Sequence, residues 1–146
     1  MQLAPDRKTL TLRRPSDMHV HFRDGPVLQA VASLTARQFG QALVMPNLTP
    51  PITTAQQAIA YRARIRSSLP ACLQGFIPRM TLHLTDDTSP DEVRRAHRND
   101  NETGQRAAEA MKMYPVGATT NSDAGVTDLH FYTMNRAAAT LEVCAN

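Results

Sequence analysis

A regular alternation of strand-like and helix-like patterns most constrains the fold of this chain. Short apolar or alternating stretches typical of strands occupy residues 17–22, 41–45, 76–84 and 110–114. Apolar positions at helical spacing separate them, over residues 26–38, 55–69 and 90–98. Strands that alternate with helices are typical of a parallel sheet covered by helices. The sequence therefore predicts an α/β fold.

Two α/β architectures fit this alternation, a doubly wound sheet and a (β/α)8 barrel. A complete barrel needs about 200 residues or more, so a chain of 146 residues supplies about half of one. No repeat or linker interrupts the chain, and we expect a single partial domain over residues 1–146.

Local signals place the ends of these elements. Thr54 and Gln57 form a capping-box pattern, and Ser89 with Pro90 is a typical helix start. We predict a short edge strand at 9–13, with loops at 46–51 and 116–126. Residues 99–105 are expected to be a loop or a frayed insertion, and residues 128–143 a weak helix.

Composition argues against several functional classes. Sixteen basic residues face thirteen acidic ones, Trp is absent, and Phe and Tyr total seven. The local cluster Arg62, Arg64 and Arg66 is interpreted as a solvated helix face, so nucleic-acid binding is not expected. No apolar run suits a membrane span or a signal peptide. We expect a cytoplasmic protein in which Cys72 and Cys144 are free thiols.

His19 and His21 form the sharpest local pattern. Residues i and i+2 of a strand point to the same side, so both imidazoles can face one metal ion, and zinc accepts imidazole readily. Asp24-Gly25 ends the strand, which places the pair where parallel α/β folds keep their sites. The alternative is two surface histidines without a ligand.

Three other polar residues also lie at predicted strand ends. Arg23 could hold a carboxylate in a bidentate fork, or form an ordinary surface ion pair. Asn47 could bind a substrate, or belong to a proline-rich turn. Lys112 lies within a short apolar strand, where a buried amine needs a partner or a modification. Its alternative is a side chain that extends to solvent at the strand end.

The remaining histidines are weaker candidates. His83 can point inward from the third strand, although packing is the preferred interpretation. His97 is expected on a solvated helix face, and His130 at a helix start rather than a strand end.

Three motifs together resemble the dihydroorotases, in the bacterial-type monofunctional branch of the amidohydrolase superfamily. The motifs are DMHVHFRDG at 17–25, VMPNLTPP at 44–51, and MKMYP at 111–115 with ATTNS at 118–122. They occur in family order over about residues 8–128. The resemblance implies the N-terminal part of a (β/α)8 TIM-type barrel, about half complete.

The resemblance also implies a metal centre of two Zn²⁺ ions per complete site. His19 and His21 would bind the more buried zinc, and Lys112 would be carboxylated and bridge both ions. This chain would supply about half of the ligands, because two further histidines and a catalytic Asp lie on the family's later strands. No catalytic residue is therefore expected within residues 1–146.

Substrate contacts follow from the same resemblance. Arg23 and Asn47 would hold the carboxylate of a small-molecule substrate, and Thr119 and Thr120 would close over it. The implied activity is the zinc-dependent reversible cyclisation of N-carbamoyl-L-aspartate to L-dihydroorotate in pyrimidine biosynthesis. A homodimer is implied for the complete family enzyme, with no nucleic-acid or membrane partner.

Two other functions remain open at this level. One is a truncated, non-catalytic dihydroorotase-like remnant or binding module. The other is a hydantoinase-type amidohydrolase, which shares the His-x-His start but is disfavoured by the Met-Pro-Asn and Lys-Met-Tyr-Pro segments. A half barrel also exposes strand edges, so we expect marginal stability or aggregation.

Overall fold

The computed structural model describes residues 2–3, 10–100 and 103–113, with side chains from residue 12 onward. The predicted loop at 116–126 and helix at 128–143 lie outside these residues. The strands are β1 (Gln2–Leu3), β2 (Leu10–Thr11), β3 (Ser16–Val20), β4 (Gln41–Val44), β5 (Ile77–His83) and β6 (Ala110–Lys112). The α-helices are α1 (Gly25–Gln38), α2 (Ala55–Ser67) and α3 (Pro90–His97).

The main sheet has four parallel strands in the order β3-β4-β5-β6. Each strand lies beside its predecessor, and one helix connects each pair. A doubly wound sheet reverses its strand order at a switch point, whereas a (β/α)8 barrel does not. The sequential order therefore confirms the predicted α/β class and matches the first part of a barrel.

The segment predicted as an edge strand at 9–13 contains β2, which pairs with β1 in a separate two-stranded antiparallel sheet and does not join the main sheet.

The core lies between the helices and one face of the sheet. Apolar side chains of α1 and α2 pack there against alternate residues of β4 and β5. The fully buried members include Ala32, Ala36, Ala58, Tyr61, Ile65, Val44 and Leu82. Phe22 joins them after β3 and meets Phe76 edge-on, with ring centroids 6.3 Å apart. The apolar core thus occupies one face of the sheet, and the polar residues lie at the carboxyl ends of the strands.

β5 begins at Ile77, close to the start of the predicted stretch 76–84, and Pro78 lies within it. The Ile77 amide donates to Gly40 next to β4, so the nitrogen of Pro78 faces the opposite side. On that side β6 pairs with β5 only from Thr81 onward. A proline is tolerated where its missing donor faces no neighbouring strand, which explains its position here.

The described residues of the segment 99–105 form a loop, as predicted, and this loop is anchored rather than frayed. Asp100 forms an ion pair with Arg62 at 2.5 Å, and their side chains are 5% and 2% exposed. Arg62 also donates to the carbonyl of Arg106 at 2.8 Å. The solvated-face interpretation is therefore wrong for Arg62, because its partner lies far along the chain. Burial lowers the pKa of Arg62, and the charge of Asp100 opposes this shift.

None of the helices in the described part of the chain is long and apolar enough to cross a membrane.

We predict that the 146-residue chain self-associates through exposed apolar residues of β3 and α1. Met18 on β3 is 67% exposed, and Val27 and Leu34, which share one face of α1, are 50% and 56% exposed. β3 also lies at one edge of the described sheet, with β4 as its neighbour there. Light scattering should show a lower average mass for Met18→Lys and Leu34→Lys than for the unmodified chain. Ala63→Lys on exposed α2 surface is the control, and an equal reduction there would contradict the prediction.

Candidate metal and substrate site

The candidate residues meet at the carboxyl ends of the parallel strands. His19 lies near the end of β3, and His21 is the first residue after that strand. Their Nε2 atoms are 3.2 Å apart, and their ring centroids 5.2 Å apart. The two side chains therefore point to the same side, as the alternation predicts.

A bulge in β3 contributes to this geometry. From Asp17 to Val20 the strand advances three residues, while the facing part of β4 advances two, from Ala42 to Val44. The His19 amide donates instead to the Asp17 carboxylate at 2.9 Å. Bulges are common beside functional sites, where they redirect a side chain. Asp17 is thus a supporting residue that sequence periodicity did not identify.

The histidine pair fits two ligands of one zinc ion. Zinc–nitrogen bonds of about 2.0–2.1 Å in a tetrahedral site hold two nitrogens about 3.3 Å apart. The same separation suits an N–H···N hydrogen bond between neutral imidazoles. Within residues 12–100 and 103–113, no three His, Cys, Asp or Glu side chains cluster as metal ligands.

Electrostatics favour the neutral, ligand-competent form of His21. Burial lowers the pKa of His21, and the positive charges of Lys112 and Arg23 lower it further. Because a metal ligand must be deprotonated, this direction suits metal binding at neutral pH.

Lys112 and Asn47 meet across the intervening strand β5. Lys112 Nζ donates to Asn47 Oδ1 at 3.0 Å. The partly buried amine is therefore paired in its unmodified form, and this hydrogen bond offsets the desolvation cost of a lysine on an apolar strand. Asn47 lies after β4, and its side-chain oxygen faces Lys112 rather than only solvent.

Arg23 lies at the rim of this group. Its backbone φ is +60°, which is uncommon for a non-glycine residue, costs about 1–3 kcal/mol and persists only where the surroundings impose it. Its Nη1 donates to the carbonyl of Asn47 at 3.2 Å. The Tyr61 hydroxyl donates to the Arg23 carbonyl at 2.5 Å. These bonds bring Arg23 and Asn47 together, and they were not visible in the sequence.

A cavity of about 390 Å³ opens beside these residues. Its walls come from the segments that follow β3 and β4 and from one side of α2. The lining includes Arg23, Asp24, Asn47, Ile52, Gln57 and Arg64. Its polar groups include cationic and amide donors, which suit an anionic ligand.

Asp24 closes the cavity wall through a salt bridge with Arg64. The two Arg64 nitrogens lie 3.2 and 2.8 Å from the two Asp24 oxygens. Asp24 also accepts from the Gly25 amide as the N-cap of α1. These bonds, chiefly that to Arg64, hold the pKa of Asp24 below its ordinary value.

Replacing Arg64 should therefore change the titration of Asp24. We expect Arg64→Gln to raise the Asp24 pKa toward its ordinary value, measured by NMR of the carboxyl carbon. Because the pKa is depressed in the folded chain, the stabilisation is present at neutral pH and is lost as pH falls through that pKa. The pair is exposed, so the loss in stability should be small. Arg66→Gln is the control, and an unchanged Asp24 pKa in Arg64→Gln would contradict the assignment.

His83, the last residue of β5, is a buried polar residue beside Lys112. It is 3% exposed and lies in register with Lys112 on the neighbouring strand. Burial lowers its pKa, and the charge of Lys112 lowers it further. Its burial agrees with the packing interpretation, and His97 is exposed as expected. Thr119, Thr120, His130 and Cys144 lie outside the described residues.

Known proteins similar to this chain were found by sequence and by structure. No family model matches the chain. Dihydroorotases of Leptothrix cholodnii and Ralstonia pickettii are 56% and 55% identical, over 83% and 92% of this chain. The chain spans only 33% and 36% of those relatives, or about a third of their length.

Solved structures agree with the sequence relatives. A Campylobacter jejuni dihydroorotase matches with a TM-score of 0.65 and 35% identity, over 79% of this chain and 31% of that chain. A Saccharomyces cerevisiae dihydroorotase in complex with 5-fluoroorotic acid gives 0.63 and 35%, over 77% and 28%.

Sequential parallel strands with polar residues at their carboxyl ends match the N-terminal part of a TIM-type barrel. At 55–57% identity over most of its length, the chain belongs to the dihydroorotase family and corresponds to the N-terminal part of that barrel.

Proposed function

We propose that this chain supplies the first part of a dihydroorotase active site, including one pair of zinc ligands and a carboxylate-binding subsite. The observation that carries the proposal is the convergence of His19, His21, Asn47 and Lys112 at the carboxyl ends of the parallel strands. The function is reversible cyclisation of N-carbamoyl-L-aspartate to L-dihydroorotate, with loss of water.

Metal ligation is assigned to the histidine pair and Lys112. The 3.2 Å separation of the two Nε2 atoms supports a shared zinc ion. Carboxylation of Lys112 would convert its cationic amine into an anionic ligand for two ions. Zinc bound there would lower the pKa of a bound water and polarise the reacting carbonyl.

Substrate orientation is assigned to Arg23 and Asn47. The guanidinium can bind a carboxylate in a fork, and the amide can add a hydrogen bond. Both line the same cavity. The S. cerevisiae relative binds 5-fluoroorotic acid, an organic acid, which supports a carboxylate-binding subsite here. We assign Thr119 and Thr120 to closure over the substrate, following the resemblance of their segment to the family loop.

The proposal can be tested in a completed barrel, in which this chain is joined to the remaining part of the 55%-identical R. pickettii relative. Zinc content and dihydroorotate hydrolysis would be measured for the completed barrel and for the 146-residue chain. We expect zinc binding and turnover in the completed barrel.

The two proteins separate the alternatives. Turnover by the completed barrel that His21→Ala abolishes would support a competent half site. A correctly folded completed barrel without zinc or turnover would identify the chain as a non-catalytic remnant. Two zinc ions and turnover in the 146-residue chain alone would exclude the remnant hypothesis directly.

A further inference from the structure

Two residues of α2 hold the backbone that presents Arg23, although neither belongs to a strand-end motif. We propose that Tyr61 and Arg64 are positioning residues that fix the left-handed backbone at Arg23 and orient its guanidinium toward a carboxylate. The carboxylate role rests on the proposed function, whereas the backbone role stands on the contacts themselves.

The first contact acts on the Arg23 backbone. A non-glycine residue stays in the left-handed region only when its surroundings impose it. The Tyr61 hydroxyl donates to the Arg23 carbonyl at 2.5 Å. The Tyr61 ring is 0% exposed within the core, so the hydroxyl extends from an anchor that packing holds still. Burial also raises the pKa of the Tyr61 phenol, which keeps the proton that it donates.

The second contact acts on the next residue. Arg64 engages both oxygens of Asp24 at 3.2 and 2.8 Å, so the fork fixes the carboxylate plane as well as its position. The Arg64 guanidinium carbon also lies 5.2 Å from the Tyr61 ring centroid. Positions 61 and 64 are three apart and share one helix face. The two contacts therefore act together on consecutive residues, 23 and 24.

The guanidinium end of Arg23 is held from the other side. Its Nη1 donates to the Asn47 carbonyl at 3.2 Å, within the same cavity that Arg64 lines. Arg23 is thus fixed at its carbonyl by α2 and at its side chain by the loop after β4. A shift of α2 relative to the sheet would move the carboxylate-binding group directly.

The backbone role is tested by NMR on the 146-residue chain. Tyr61→Phe and Arg64→Gln should each accelerate hydrogen exchange of the Gly25 amide by about fivefold, because each removes one bond that orders residues 23–24. The carbon chemical shifts of Arg23 should move away from left-handed values. Arg66→Gln, on the same helix, should leave both signals unchanged.

The binding role is tested in the completed barrel. Tyr61→Phe should raise KM for dihydroorotate by about fivefold while kcat changes little, which is typical of lost ground-state binding. Equal loss of kcat would overturn the positioning role, as would Gly25 exchange that is unchanged or that rises uniformly across the sheet. An inactive unmodified barrel with the expected exchange pattern would instead count against the proposed function alone.

Discussion

His21→Ala is expected to weaken zinc binding by the completed barrel by at least about 100-fold, since loss of even an outer-shell partner commonly costs about 10- to 100-fold. The two Nε2 atoms converge at 3.2 Å, so removing one imidazole leaves a single nitrogen where the two would share the ion. Competition with a chromogenic chelator measures the affinity.

His97→Ala is the matched control for this prediction. His97 is exposed and ends α3, so its removal should leave zinc affinity unchanged. Equal affinities for His21→Ala and the unmodified protein would show that the pair does not bind the metal.

Asp100→Ala is expected to destabilise the folded chain by about 3–5 kcal/mol, the usual cost of leaving one member of a buried ion pair alone. Arg62 and Asp100 are almost completely buried, and Asp100 also accepts hydrogen bonds from Thr103. Urea denaturation followed by circular dichroism gives the free energy of unfolding.

The exposed pair Asp91–Arg94 provides the control. Its side chains are 80% and 68% exposed, and such pairs contribute at most about 1 kcal/mol. Asp91→Ala should therefore cost far less than Asp100→Ala. Similar losses in the two variants would mean that the buried pair is not a structural anchor.

Local signals account for most of what could be predicted from the sequence. The Thr54–Gln57 capping box forms as expected, and Ser89 caps α3 before Pro90. Both motifs are satisfied within four residues, so no distant partner decides them. The alternation at 17–22 likewise predicted that His19 and His21 share one side, and the sequential strand order confirms the predicted partial barrel.

The features that were missed depend on partners far along the chain. Arg62 and Asp100 are 38 residues apart, as are Tyr61 and Arg23. Periodicity reports which face of an element is apolar, but it does not identify a distant polar partner. Pro78 is likewise tolerated inside β5 because of where the neighbouring strand begins, which a local pattern does not report.

The contact between Lys112 and Asn47 links two strands that are not neighbours. The ends of β4 and β6 are separated by two strand spacings of about 4.8 Å each, with β5 between them. Nevertheless Lys112 Nζ lies 3.0 Å from Asn47 Oδ1. The long lysine side chain and the position of Asn47 beyond the end of β4 allow the two groups to meet. The placement of Lys112 therefore depends on the loop after β4 as well as on β6, and a change in the length of that loop would separate the two side chains without altering either of them.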